Sequence, residues 1–85
     1  MRAIFKYELK ITDEQKVLMP CSAILLHVAY QGDKLYVWAK VNTDYLLEER
    51  PIHIHGTGNP IAKNPGNYVG TVHSLDGFVW HIFEG

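Results

Sequence analysis

The sequence predicts an all-β fold, a single small sandwich or barrel of about seven antiparallel strands, and three observations carry that reading. Apolar and polar residues alternate with period two along several short stretches, as in Ala3-Phe5-Tyr7-Leu9-Ile11 set against Arg2, Ile4, Lys6, Glu8 and Lys10. Clusters such as Gln31-Gly32-Asp33-Lys34 and Ser74-Leu75-Asp76-Gly77 punctuate these stretches with turn chemistry. No segment sustains apolar residues at helical spacing long enough to stabilise a helix.

Composition sets the scale. The chain has 85 residues, 47% of them hydrophobic, with 8 Lys+Arg against 9 Asp+Glu for a formal net charge of −1. Folding at this size buries roughly 60–65% of the chain's surface, enough for one thin core, so residues 1–85 read as one domain. With 12% aromatic and only 20% charged residues, intrinsic disorder is excluded. Near-zero net charge argues against nonspecific nucleic-acid binding, which needs a dense cationic footprint. Apolar runs such as Ala23-Ile24-Leu25-Leu26 are far too short to span a membrane as a helix. Charges within Met1-Arg2-Ala3-Ile4-Phe5-Lys6 do not suit a secretory signal, and Cys21 is the only cysteine, so the expectation is a cytoplasmic protein without disulfides.

Taken in order, residues 3–11 form a half-buried strand, a turn at Thr12-Asp13-Glu14-Gln15 makes a hairpin, and Lys16-Val17-Leu18-Met19 returns until Pro20 ends the ladder. Residues 22–41 form the clearest hairpin, with Gly32 and Asp33 central in a primed turn. That turn sets Tyr30 opposite Leu35 and stacks Val28/Val37, Leu26/Ala39 and Ile24/Val41 as core pairs. The opposite face, with Leu25, His27, Ala29, Tyr36 and Trp38, is too apolar to stand in water, and Leu25, His27, Tyr36 and Trp38 are its candidate oligomer interface. Residues 42–50 read as a polar connection with at most one helical turn, and Pro51 begins a strand through Ile52-His53-Ile54-His55. Three glycines and two prolines within residues 56–66 make a long loop or flap. A last hairpin joins residues 68–73 to 78–83, in a register that puts Thr71 opposite Trp80 and Gly70 opposite His81.

Chemistry-bearing residues gather around the loop. His53 and His55 share one strand face, the spacing of a two-histidine metal edge that His73 or His81 would complete, yet no carboxylate neighbours them except Glu48 and Glu49 beyond Pro51. No serine occupies a nucleophile elbow, and Cys21 has no evident base. Two histidines also suit metal-free acid–base cleavage of a phosphodiester. The stretch Gly56-Thr57-Gly58-Asn59 is no dinucleotide or P-loop fingerprint; its plain reading is a turn, and its functional reading is a phosphate cradle aided by Lys63. Arg50, His53 and His55 supply cationic hydrogen bonds, and Trp80 is the preferred ring to stack a base. The candidate ligand residues are thus Arg50, His53, His55, Gly56, Thr57, Gly58, Asn59, Lys63 and Trp80, with no cofactor and no metal.

The combination Met1-Arg2-x-Ile4-x-Lys6-Tyr7-x-Leu9, Thr12-Asp13-Glu14-Gln15, Leu47-Glu48-Glu49-Arg50, Gly56-Thr57-Gly58-x-Pro60-Ile61, Gly70-Thr71-Val72 and Phe78-Val79-Trp80-His81 resembles a family of uncharacterised small phage and prophage proteins over nearly the whole chain. The resemblance transfers no catalytic residue. Relatives often carry Arg in the place of His53 and an aromatic residue in that of His55, which weakens metal chemistry and suits an anion-binding surface. A phage setting implies a homo-oligomeric, non-catalytic protein that sequesters a small phosphorylated nucleotide signal and so inhibits bacterial antiviral defence. The alternatives are a protein-interaction module, acting as an inhibitor of a host enzyme or a virion accessory part, and a metal- or His-dependent phosphodiesterase.

Overall fold

Period-two alternation at the start of the chain becomes an edge strand, and in the computed structural model, which describes residues 1–85, six further strands follow without any helix. They are β1 (Arg2–Leu9), β2 (Glu14–Pro20), β3 (Ile24–Gln31), β4 (Lys34–Asn42), β5 (Leu47–Gly56), β6 (Asn67–His73) and β7 (Val79–Glu84). They form two antiparallel sheets, a three-stranded one ordered β1-β4-β3 and a four-stranded one ordered β2-β5-β7-β6. The sheets stack as an open sandwich, 15 Å across its shortest Cα extent, and do not close into a barrel.

The β3–β4 hairpin follows the expected register near its turn, with Tyr30 opposite Leu35 and Val28 opposite Val37. Gly32 has φ 63° and Asp33 a negative φ, the signs of a type II′ turn. Farther from the turn a bulge between Leu25 and His27 shifts the pairing, so Leu25 faces Ala39 and Ile24 faces Lys40, not Leu26 with Ala39 and Ile24 with Val41. The extra residue reverses the phase of the strand. Leu25 therefore packs against the core, whereas Leu26 and Ile24 are exposed. Strict alternation does not foresee this, because a single extra residue exchanges Leu26 for Leu25 on the core side, where Leu25 packs against both halves of the core.

Three further expectations are corrected. Residues 10–13 do not close a hairpin: β1 pairs with β4 and β2 with β5, so the connection crosses from one sheet to the other, and β1 ends at Leu9. Leu47-Glu48-Glu49-Arg50 is not a connection but the first half of β5, paired with Val17, Leu18, Met19 and Pro20. Pro51 lies inside that strand, where its carbonyl accepts the Gly85 N–H. A strand residue points its N–H and C=O to the same side, so the missing proline donor faces β7 and leaves the ladder to β2 intact. In the β6–β7 hairpin the loop takes one more residue, closed by Ser74 N–H to Phe78 O at 2.8 Å, and Thr71 stands opposite His81, with Val72 opposite Trp80 and Gly70 opposite Ile82.

The core has two parts. Leu9, Val28, Leu35, Val37, Ile52, Ile54, Val72 and Ile82 form the larger, and Met19, Ala23, Ala39 and Val41 the smaller. Tyr7 and Leu25 pack against both. Burial pushes the Tyr7 phenol above its ordinary pKa, because desolvation disfavours the phenolate. The sheets approach closely where Gly70 passes Val28: a Cβ at Gly70 would lie 2.6 Å from Val28 Cγ2.

Candidate functional site

Alternation along β5 puts Ile52 and Ile54 into the core and turns His53 and His55 to the outer face of the four-stranded sheet. Register then assembles a row across three strands: His55 of β5 stands opposite His81 of β7, which stands opposite Thr71 of β6. The neighbouring row places His53 opposite Phe83 and Phe83 opposite Tyr68. Tyr68 and Thr71, three apart, belong on opposite faces of a regular strand. The bulge at Val69 restores them to one face, where Tyr68 Oη and Thr71 Oγ1 are 2.6 Å apart.

Residues 56–59 cap the end of this sheet as a turn. Asn59 N–H donates to Gly56 O at 3.0 Å, and Gly58 has φ 88°, the type II geometry that favours glycine at the third position. Gly56 lets the turn sit close, since a Cβ there would lie 2.8 Å from Asn59 Nδ2 and 3.2 Å from the Trp80 ring, so that both side chains would have to shift. The turn delivers the Thr57 hydroxyl to His81 Nε2 at 2.7 Å, while Thr71 Oγ1 lies 3.0 Å from His81 Nδ1. Hydroxyls donate or accept, so the chain Tyr68–Thr71–His81–Thr57 holds this imidazole in either neutral tautomer or as imidazolium.

His55 is different. Its ring meets Phe83 edge-on, with centroids 5.9 Å apart, and Phe83 in turn meets Tyr68 at 5.5 Å. Its Nε2 is buried and has no hydrogen-bond partner. A buried nitrogen without a partner costs about 1–3 kcal/mol, and since this one is closed to solvent a ligand atom would meet it only after the ring turns toward the hollow. Between His55, His81, Thr57, Asn59, Ile61 and Tyr68 lies a hollow of about 220 Å³ whose lining includes no carboxylate. A second hollow of about 340 Å³ adjoins it across Gly56, Thr57 and Asn59 and is lined on its far side by Phe78 and Trp80. These two rings stack with centroids 5.5 Å apart, and Phe78 remains 57% exposed.

The structure thus brings together His55, Gly56, Thr57, Gly58 and Asn59 around one hollow, with Trp80 beyond the turn. It separates the rest. Arg50 lies on the core side of β5, where its guanidinium donates to Glu84 at 2.7 Å, to Ala23 O at 3.0 Å and to Glu48 at 3.3 Å. It does not converge with His53 and His55, because residues 50 and 53 of one strand point to opposite faces. His53 Nε2 donates to the Gly85 carbonyl at 3.0 Å, outside the hollow. Lys63 is exposed in the loop and also lies outside the lining. Trp80 packs on the core from the inner face of its sheet, so it reaches the second hollow and not the first. Three members of the site, Tyr68, Thr71 and Phe83, escape the sequence reading, and His81 enters it only as a metal ligand. A one-residue difference in hairpin register and the β6 bulge decide their positions. No three His, Cys, Asp or Glu side chains converge in a geometry that could hold a metal ion.

On the other outer face, His27, Tyr36 and Trp38 do gather. The Trp38 ring centroid lies 6.0 Å from His27 and 6.1 Å from Tyr36, and Lys6 Nζ sits 4.4 Å above the Tyr36 ring. Leu25 is absent from this group, being turned inward by the β3 bulge.

The chain belongs to a family defined by a domain of unknown function, DUF7352, whose model matches residues 1–85. Neither the curated proteins nor the solved structures provide a match.

Proposed function

We propose that this member of the family is a non-catalytic binding protein for a small phosphorylated nucleotide, with the phosphoryl group in the hollow beside His55 and His81 and the base on Phe78 beyond the residue 56–59 turn. The buried, unpartnered Nε2 of His55 carries the reading. A turn of that ring toward the hollow would let a phosphoryl oxygen accept from Nε2, the Thr57 hydroxyl lies in the same lining, and no carboxylate there opposes the anion. Size supports a bipartite site, because about 220 Å³ suits a phosphate and is small for a whole nucleotide, whereas the adjoining 340 Å³ adds room and an aromatic surface. Sequestration of a nucleotide signal in a phage-infected bacterium is the role that follows, and self-association of the subunits is part of the proposal.

Calorimetry with inorganic phosphate, ribose 5-phosphate and a nucleoside monophosphate tests it. Affinity should rise along that series, and the step to the nucleotide should be about tenfold or more, the scale of one base stacked on an aromatic ring. His55→Phe should abolish binding of all three, and Phe78→Ala should remove only the last step. Equal affinities for wild type and His55→Phe would move the site elsewhere, and steady release of phosphate from the nucleotide would replace binding with hydrolysis.

A further inference from the structure

A sandwich of two open sheets has four edge strands, here β1 and β3 in one sheet and β2 and β6 in the other. Bare edges invite pairing with another chain, and folded proteins blunt them with bulges, prolines or cover. Bulges interrupt β3 and β6, and Pro20 ends β2. β1 has neither, and its register to β4 is unbroken from Arg2 to Leu9. Phe5 belongs to the core-side face of β1 along with Ala3, Tyr7 and Leu9, yet it is 40% exposed, and its neighbour Ile4 is 62% exposed. The free edge is thus long, regular and partly apolar.

We infer that β1 is a self-complementary docking edge, and that two copies of the chain join by antiparallel β1–β1 pairing about a two-fold axis through Phe5. Backbone direction permits it. Thr43 N–H donates to Met1 O, so the odd residues of β1 point their peptide groups at β4, and those of Arg2, Ile4, Lys6 and Glu8 point outward, unpaired. Side-chain charge selects the register. Centring the pair on Phe5 sets Arg2 against Glu8 of the second copy, Ile4 against Lys6, and Phe5 against its own counterpart at a non-hydrogen-bonded position, where side chains approach most closely. Centring on Ile4 would oppose Arg2 to Lys6, and centring on Lys6 would oppose Lys6 to itself, both like-charge contacts. Pairing about Tyr7 would set Lys6 against Glu8 but leave Arg2, Ala3 and Ile4 outside the ladder. Only the Phe5 register uses the whole strand, forms two symmetry-related ion pairs and covers the exposed ring. It joins the two three-stranded sheets into one continuous sheet and leaves the His55 hollow, on the other sheet, open in both copies.

Sedimentation equilibrium of the full chain, from low micromolar to millimolar concentration, should show a monomer–dimer equilibrium. Ile4→Pro removes an outward N–H without touching the ladder to β4, and should yield a folded monomer. Glu8→Arg places two like-charged pairs across the axis and should weaken the dimer about tenfold or more, and adding Arg2→Glu should restore it. If Ile4→Pro fails to fold, the charge reversal and its rescue still decide the matter. A wild type that stays monomeric throughout, or a dimer indifferent to both the proline and the charge reversal, overturns the inference; the second outcome assigns association to another surface, such as that of Tyr36 and Trp38.

Discussion

Replacing Gly70 by alanine probes the contact on which the spacing of the sandwich depends. The added Cβ would stand 2.6 Å from Val28 Cγ2, against about 3.5–4.0 Å for an ordinary carbon–carbon contact, so roughly 1 Å must be found. Val28 cannot supply it by rotating, because it is 4% exposed and its branched side chain is confined at χ1. The sheets must part, and overpacking of this kind costs about 1–3 kcal/mol, a large share of the 5–15 typical of a whole domain. Val28→Ala removes the two methyl groups and should cost about 2 kcal/mol by itself, from lost burial and the space left behind. In the double variant the new methyl occupies part of that space. Its destabilisation should fall short of the sum by about 1–2 kcal/mol, the sign and size of coupling expected for residues in direct contact. Urea unfolding measures this, with Gly70→Ala moving the midpoint down by about 1–2 M at constant slope. A neutral Gly70→Ala, or strict additivity of the two changes, would refute the close approach.

Four other outcomes follow from particular contacts. Val37→Asp buries a carboxylate where the side chain is 0% exposed, and should abolish the cooperative melt, since an unpaired buried charge costs several kcal/mol. Arg50→Ala should lower stability by about 2 kcal/mol, by orphaning Glu84 and the Ala23 carbonyl, while phosphate affinity measured by calorimetry stays as in wild type. Because burial raises the Tyr7 pKa, its contribution is complete below the ordinary tyrosine value of about 10 and is lost as pH climbs through the folded-state value. Tyr7→Phe should flatten that alkaline decline in a pH series of denaturation midpoints. Phosphate affinity, measured by calorimetry at one fixed pH, should fall about tenfold or more in a His55→Phe, His81→Phe double variant, which removes both imidazole donors from the lining.

The fold class was legible because alternation and turn chemistry are local signals. Val28, Val37 and Leu35 occupy the core positions their spacing demands, and the Gly32-Asp33 turn fixes their register. Sheet membership was not legible. Whether β1 pairs with β2 or with β4 depends on which sheet covers its apolar face, a tertiary choice that a turn-like Thr12-Asp13-Glu14-Gln15 does not encode. Single-residue bulges were equally silent, and each redirects one side of a strand: the one at Leu26 sends Leu25 inward, and the one at Val69 brings Tyr68 beside Thr71. At the site, the outward pair His53 and His55 and the turn at residues 56–59 followed from local pattern. The residue type of Arg50 suggests an anion partner, whereas its parity along β5 places it on the core side with Glu84.

Long-range nitrogen–proton correlation spectra of the imidazoles, recorded while inorganic phosphate is titrated in, address the proposed site most directly. A phosphoryl group in the hollow should move the Nε2 resonance of His55 first and furthest, with a smaller response at His81 and none at His27 or His73, and saturate at the calorimetric affinity. A His55 resonance that stays fixed under saturating phosphate contradicts the assignment.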